Sequence, residues 1–170
     1  DTVFLWRGTD TVNLLASREN HIEAINDKGK LRWKRPNIKI QFTAHDQFIG
    51  NVNGLLGIYN WQGEVVKNPQ YEDITPLFTP SPFIVFLEPQ TKKNLFYKVR
   101  KGTKWGLINR QGETIISAEW DEIGYMRGIF TAKNSEQGTC LFLNQGERLL
   151  LNGIKAIEPA LGNSSIRIET

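Results

Sequence analysis

The chain has 170 residues, of which 39% are hydrophobic and 23% are charged, and its formal net charge at pH 7 is +3. This length suits one domain or a short repeat array, and the apolar fraction supports a packed interior, which excludes a wholly disordered chain. So small a charge excess does not predict a phosphate-binding surface, and we expect no nucleic acid among the partners. The continuous apolar stretches are far shorter than the roughly 20 residues that span a bilayer, so we expect no transmembrane segment.

A short turn motif, with Asn near its start and Gly near its end, recurs along the chain. Its copies are Asn26–Lys30, Asn60–Glu64, Asn109–Glu113 and, one residue shorter, Asn144–Glu147. An apolar run precedes each copy and another follows most of them, which is typical of a β-hairpin with a three- to five-residue loop. We expect each glycine to adopt a positive φ, because this loop requires one left-handed residue.

The pattern after the hairpin extends it to a larger unit. A corner with two acidic residues comes next, Glu72-Asp73 in one copy and Asp121-Glu122 in another, and a third strand follows. No segment keeps the apolar spacing of a helix for more than a single turn. The sequence therefore predicts an all-β protein of tandem antiparallel hairpin repeats, stacked into a curved sheet array or an incomplete propeller-like arrangement.

The predicted repeats form a single domain over residues 1–170. Their approximate bounds are 13–50, 51–86, 98–132 and 133–170. The interval between the glycines of the second and third turns is the longest, and we expect the excess near 87–103, as an extra or lengthened hairpin. Trp105 and Trp120 stand at positions that the repeat dictates, so we expect both to pack in the core between neighbouring repeats.

The pair Trp105-Gly106 lies near the start of the segment Lys104–Ile116. This segment resembles the WG repeat family, which is found widely in bacteria. In that family a Trp-Gly pair precedes Leu-Ile-Asp, a glycine and an apolar pair. The resemblance implies a β-rich repeat architecture with a binding or scaffolding role, and it brings no catalytic residues. The resemblance is clear over 104–132 and fair over 54–78, where Leu56-Gly57 replaces the Trp-Gly pair. It is weak over 21–50, where His21-Ile22 replaces that pair, and over 139–158, where Thr139-Cys140 does.

Few residues indicate chemistry. Cys140 is the only cysteine, so the chain can form neither an internal disulfide nor a Cys-rich zinc site, and we expect a small buried side chain. His21 and His45 lack the spacing of metal ligands. The corner acids recur at one repeat position, which favours hydrogen bonds to backbone amides over acid–base catalysis. We therefore expect no enzyme activity, no metal and no cofactor.

Cations and aromatic residues are concentrated around the insertion, and this composition is typical of the centre and rim of a protein interface. The candidate binding residues are Phe83, Phe86, Lys92, Lys93, Phe96, Tyr97, Arg100 and Lys104. The alternative is that the aromatic rings fill the repeat core. A second basic stretch, 28–35, surrounds Trp33. We expect it to protect a strand edge from unwanted pairing, the alternative being contact with nucleic acid or an acidic protein.

The function predicted from these features is that of a non-enzymatic protein-binding repeat module, an adaptor or scaffold. One alternative is an immunity or inhibitor protein that neutralises a toxin or enzyme with its irregular insertion. Another is a cell-envelope or cell-wall-binding module, which the aromatic content of 11% and the start at Asp1 rather than Met support. The same start favours a processed, extracytoplasmic chain over a cytoplasmic one, and no oligomeric state is predicted.

Overall fold

A computed structural model describes most of the chain. The described residues are 2–7, 12–19, 21–44, 47–77, 95–126, 129–143, 146–149, 156–159 and 166–169. Over these ranges the chain forms antiparallel β-strands and no helix. The strands fall into two compact units, residues 1–72 and 73–170. The predicted all-β fold of tandem antiparallel hairpins is confirmed.

The first unit contains two four-stranded antiparallel sheets, in each of which consecutive strands are neighbours. Sheet 1 consists of β1 (Thr2–Arg7), β2 (Val12–Ser17), β3 (His21–Asn26) and β4 (Leu31–Pro36). Sheet 2 consists of β5 (Lys39–Ala44), β6 (Gln47–Val52), β7 (Leu55–Asn60) and β8 (Val65–Tyr71). The last strand of each sheet pairs on one side only, so β4 and β8 are edge strands.

The second unit repeats this order in two further four-stranded sheets and adds a two-stranded ribbon. Sheet 3 consists of β9 (Asp73–Leu77), β10 (Phe96–Lys101), β11 (Lys104–Asn109) and β12 (Thr114–Trp120). Sheet 4 consists of β13 (Glu122–Met126), β14 (Ile129–Asn134), β15 (Gly138–Leu143) and β16 (Arg148–Leu149). The ribbon pairs β17 (Ala156–Pro159) with β18 (Ile166–Glu169).

The recurring turn joins the third strand of each sheet to the fourth. Its glycine N–H donates to the carbonyl of the residue three positions earlier, as Gly112 does to Asn109 at 3.0 Å. The Asn109 side chain adds two bonds, because its Oδ1 accepts the Glu113 N–H at 2.9 Å and its Nδ2 donates to Glu113 Oε2 at 2.7 Å. The predicted positive φ is confirmed in all four copies: 75° at Gly29, 80° at Gly63, 80° at Gly112 and 83° at Gly146.

The fourth turn is as long as the others. The Leu143 N–H donates to the Glu147 carbonyl and the Gly146 N–H donates to the Leu143 carbonyl, both at 2.9 Å, which is the bonding pattern of the other turns. Leu143, and not Asn144, therefore occupies the Asn position. The prediction of a shorter fourth loop was wrong, because a neighbouring Asn was taken for the first residue of the motif.

The fourth strands of sheets 2 and 3 bulge opposite a glycine. Residues 117–119 of β12 lie opposite Gly106 alone, and residues 68–70 of β8 lie opposite Gly57 alone. A bulge brings the backbone of its strand toward the neighbouring strand. These glycines are therefore explained by close approach of a backbone, whereas the turn glycines are explained by a positive φ.

Sheet 1 has regular pairing at the same point. Counting back from Asn26, the pair that corresponds to Trp105-Gly106 is Ile22-Glu23, and not the predicted His21-Ile22. Glu23 pairs with Lys34 of β4 in unbroken register. Because no bulge presses on this position, it accommodates a side chain.

Each unit has its own apolar core. In the first unit it consists of Leu15, Ile22, Ala24, Ile38, Phe48, Tyr59 and Trp61. In the second it consists of Phe96, Leu107, Ile116, Trp120, Ile123, Phe130, Ala132, Cys140 and Phe142. Trp120 is 1% exposed, and Trp105 packs against the same cluster while remaining partly exposed. The core positions predicted for Trp120 and Cys140 are confirmed, and Trp105 lies at the margin of the core.

The extra length of the third repeat lies between β9 and β10. Residues 78–95 join these strands, whereas only 45–46 join β5 to β6 and only 127–128 join β13 to β14. The predicted insertion included Phe96–Lys101, but this segment is a regular strand of sheet 3. Of the connection itself, residues 78–94 lie outside the described ranges.

Candidate functional site

The structure describes four of the eight binding residues predicted from the sequence. Phe96 and Tyr97 are 6% and 1% exposed, so both rings are buried, as the alternative interpretation of the aromatic residues had it. Arg100 and Lys104 lie at the surface, at the hairpin between β10 and β11. The remaining candidates lie outside the described residues: Phe83, Phe86, Lys92 and Lys93.

The two ends of β10 belong to different parts of sheet 3. Phe96 pairs with Leu77, next to the long connection, whereas Arg100 pairs with Asp73 and with Trp105 at the other end. At about 3.3 Å per residue these ends are roughly 13 Å apart. Arg100 therefore belongs to a surface around Trp105.

Trp105 is the centre of this surface. The Lys98 Nζ lies 4.2 Å from the centroid of the Trp105 ring, and the Arg100 Cζ lies 5.8 Å from it. Lys98 and Arg100 are two residues apart and therefore project from the same face of β10, and Arg100 pairs directly with Trp105. A cation over a partly exposed ring contributes about 0.5–1 kcal/mol. We call Lys98, Arg100, Lys104 and Trp105 the Trp105 surface.

Hydrogen bonds hold the rim of the Trp105 surface. Arg100 Nη1 donates to the Gly102 carbonyl at 3.0 Å, and Lys104 Nζ donates to Asp121 Oδ1 at 2.6 Å. Asp121 Oδ2 also accepts the Ser135 N–H at 3.3 Å. The hydrogen bond from Lys104 holds the pKa of the Asp121 carboxyl below its ordinary value, partial desolvation opposes this, and the Lys104 charge and the Ser135 N–H lower the pKa further.

Lys98 belongs to the basic residues near the predicted insertion but was not among the predicted binding residues, and Trp105 was expected in the core. The available signal was the hairpin between them. Gly102 has a φ of 61° and begins a two-residue turn in which Lys101 pairs with Lys104. A hairpin folded at this turn places Arg100 opposite Trp105, and Lys98 then follows on the same face.

The predicted role of the corner acids is confirmed at Asp121, whose carboxylate accepts the backbone N–H of Ser135. At the other corner, Asp73 Oδ1 accepts the Thr75 hydroxyl at 3.3 Å. Both acids are therefore engaged in local hydrogen bonds that stabilise the chain where one sheet gives way to the next.

His21 lies in an ion-pair cluster on sheet 1. Its Nε2 lies 3.5 Å from Glu23 Oε2, and Arg18 Nη2 lies 3.1 Å from Glu23 Oε1. Burial alone would raise the pKa of Glu23, but the hydrogen bonds and charges of Arg18 and His21 outweigh it, and the pKa is lowered. His45 lies outside the described residues.

Cys140 is a buried free thiol. Arg148 Nη2 donates to its Sγ at 2.8 Å, which ties β16 to β15. Within the described ranges, no three His, Cys, Asp or Glu side chains are grouped in a way that could hold a metal ion.

Residues 105–131 match the family model of the WG containing repeat. Over these residues the predicted resemblance to the WG repeat family is confirmed. The matched WG repeat begins on β11 of sheet 3 and ends on β14 of sheet 4. One WG repeat thus contributes strands to two successive sheets. Its Trp is the centre of the Trp105 surface, and its Gly is the residue opposite the β12 bulge.

Other comparisons extend over more of the chain. One solved structure similar to it is that of the computationally designed Ika8 protein, with 10% sequence identity and a TM-score of 0.39 over 99% of this chain and 55% of the designed one. The WG-repeat chain thus spans about half the length of that protein. No curated protein matches it. Within the described residues there is no helix that could cross a membrane.

Proposed function

We propose that this WG-repeat chain is a non-enzymatic module that binds another protein and acts as an adaptor or scaffold. The observation that supports it is the Trp105 surface, in which Lys98 and Arg100 lie over a partly exposed tryptophan. Trp and Arg are enriched among the residues that dominate the binding energy of protein interfaces. A repeat array also suits such a role, because its stacked units present an extended surface.

The charges of the Trp105 surface suit a partner with acidic side chains. Lys104 is paired with Asp121, whereas Lys98 and Arg100 form no ion pair with any described residue. A carboxylate of the partner would pair with Lys98 or Arg100 while an apolar group covers the exposed part of the Trp105 ring. Desolvating these cations against a matched carboxylate gives specificity and raises the association rate.

The absence of catalysis is part of the proposal. The groups that would serve acid–base or nucleophilic chemistry have local structural partners. Asp121 is bonded to Lys104 and Ser135, and the buried Cys140 thiol is bonded to Arg148. Such contacts are what side chains in a structural role make, and they support a function without catalysis.

The test is affinity capture from the lysate and envelope fractions of the source cell, with the chain as bait. The test variant is Lys98→Ala/Arg100→Ala. The matched control is Lys101→Ala/Lys133→Ala, which removes the same charge from two exposed side chains of the same unit. Trp105 is left unchanged, because its truncation would also open the core. Circular dichroism and thermal melting confirm that both variants fold.

A stoichiometric protein partner that the control retains and the test variant loses supports the proposal. Equal capture by both variants contradicts a role for the Trp105 surface. If the captured partner is a toxin or enzyme whose activity falls on binding, the protein is an immunity or inhibitor protein. If no protein is captured and the chain is retained on isolated wall polymers, the function is that of a cell-envelope module.

A further inference from the structure

The outer strand of sheet 1, β4, is a free edge. It pairs only with β3, and all of its residues are exposed except Trp33, which is partly buried. Along such an edge, alternate residues direct their N–H and C=O groups away from the sheet. No described residue of another strand accepts or donates hydrogen bonds there. The main-chain groups on this edge of β4 are therefore not paired with any described strand, and an extended segment of another chain can pair with them.

β4 is less interrupted than the last strands of sheets 2 and 3, although it has one register shift, between Leu31 and Trp33. Its residues Trp33 to Pro36 pair in unbroken register with β3. β8 has two register shifts and contains Pro69, which has no N–H to donate. β12 also has two register shifts. Bulges and proline hinder strand addition, so β8 and β12 are more strongly protected by their shape than β4, whose register shift and Pro36 lie near its two ends.

The charge on β4 and on the turn before it is strongly positive. Five cations lie within eight residues: Lys28, Lys30, Arg32, Lys34 and Arg35. None of them forms an ion pair with a described residue, and Arg35 Nε donates to the Gly63 carbonyl at 3.2 Å. Like charges opposite each other destabilise a pair of strands, and opposite charges stabilise it. The edge therefore disfavours pairing between two copies of this chain and favours an acidic strand.

The contacts of Trp33 favour a protein strand over a nucleic acid. Its Nε1 donates to the Trp61 carbonyl at 3.0 Å, and its ring stacks on Phe48 with centroids 6.4 Å apart. Its face also covers Gly63, since a Cβ there would lie 3.0 Å from the ring. Single-stranded nucleic acids are held by aromatic rings on which bases stack, and the Trp33 ring is already engaged within the first unit.

We propose that β4 binds an extended, acidic segment of another protein, which adds to sheet 1 as a fifth antiparallel or parallel strand. Main-chain hydrogen bonds to the free edge provide affinity, and the cations select for acidic side chains. This inference goes beyond the Trp105 surface, since it concerns another unit and other residues. The two tests use different variants and probes, so that either proposal can fail alone.

The test uses fluorescence anisotropy with synthetic probes. The first probe is a blocked octapeptide in which Glu and Thr alternate. The second carries the same four glutamates separated by Pro-Pro pairs, which favour a polyproline II conformation and have no N–H donors of their own for strand pairing. The third is an octathymidylate. The test variant is Arg32→Glu/Lys34→Glu, and the matched control is Lys101→Glu/Lys133→Glu, which makes the same change of charge in the other unit.

We expect the Glu-Thr peptide to bind, with an affinity that falls as salt is added and that is roughly tenfold weaker in the test variant but not in the control. We also expect amides of residues 31–35 to gain protection from hydrogen exchange. Equal binding of both peptides would show that the cations attract any acidic peptide whatever its conformation, and it would overturn the proposal of strand addition. Tighter binding of the oligonucleotide than of the peptides would overturn the proposal and indicate that β4 binds nucleic acid. No binding of any probe up to about 1 mM would overturn it and indicate that the cations only protect the strand edge.

Discussion

Gly106 on β11 lies directly against the backbone of Ala118 on β12. A Cβ at position 106 would lie 2.8 Å from the Ala118 nitrogen and 2.8 Å from the Ile116 carbonyl oxygen, closer than non-bonded atoms approach. The cause is the bulge of β12, whose residues 117–119 face this one glycine. The Gly of the WG pair is thus required by a neighbouring backbone and not by its own φ.

Gly106→Ala should therefore destabilise the protein by about 3 kcal/mol, because the added methyl group meets backbone atoms that cannot rotate away. Urea denaturation followed by tryptophan fluorescence measures this cost. Gly124→Ala is the control, since a Cβ there meets only the Thr131 Oγ1, at 2.6 Å. Rotation of Thr131 about χ1 can move this oxygen away, which a backbone atom cannot do, so we expect a smaller cost, about 1 kcal/mol. Equal costs for the two variants would contradict the explanation.

Trp120 combines deep burial with an unsatisfied donor. It is 1% exposed, its ring meets Phe142 edge-on with centroids 5.7 Å apart, and no described protein acceptor lies within hydrogen-bond distance of its Nε1. Trp120→Ala should cost about 3–5 kcal/mol through the cavity that it leaves. Trp120→Phe keeps the aromatic contact and removes a donor whose burial costs about 1–3 kcal/mol, so it should cost much less. Chemical denaturation measures the free energy of unfolding of both variants. Similar losses of stability in the two would indicate that the indole N–H has a hydrogen-bond partner.

The strands and turns could be predicted from the sequence because they depend on local signals. Asn at the start and Gly near the end of each turn gave the hairpins, and the apolar runs gave the strands. At the fourth turn the Asn-to-Gly motif did not identify the first residue of the turn correctly. Leu143 makes the same backbone hydrogen bonds as the Asn of the other turns, so the turn forms without the side chain on which the prediction relied.

The Trp105 surface could not be predicted from composition, because it depends on strand register. A change of one residue in the pairing of β10 with β11 would move Lys98 and Arg100 to the opposite face of the sheet. The cluster of aromatic residues and cations near the insertion contained both core and surface positions. The core positions are distinguished from the surface positions only by the structure, in which Arg100 pairs with Trp105 and the side chains of Phe96 and Tyr97 are buried.

Asn109 contributes to stability through its side chain. Its Oδ1 accepts the Glu113 N–H and its Nδ2 donates to the Glu113 carboxylate. Asn109→Ala should therefore cost about 1 kcal/mol while leaving the fold intact, since the backbone bonds of the turn remain. Gln111→Ala, at an exposed position of the same turn, should change stability by less than about 0.5 kcal/mol. Thermal melting of both variants tests this, and a loss at Gln111 as large as that at Asn109 would argue against the side-chain bonds.

The pair formed by Lys104 and Asp121 should make stability depend on pH. The hydrogen bond from Lys104 lowers the pKa of Asp121 in the folded chain, so its contribution is present above the unfolded pKa and is lost as pH falls through the folded pKa. In Lys104→Met, which keeps an apolar stem of similar length, the pKa of Asp121 should rise toward its ordinary value. Carbon-detected NMR titration of the Asp121 carboxyl measures this, with Lys101→Met as the control. An unchanged pKa in Lys104→Met would show that the hydrogen bond at 2.6 Å does not persist in solution.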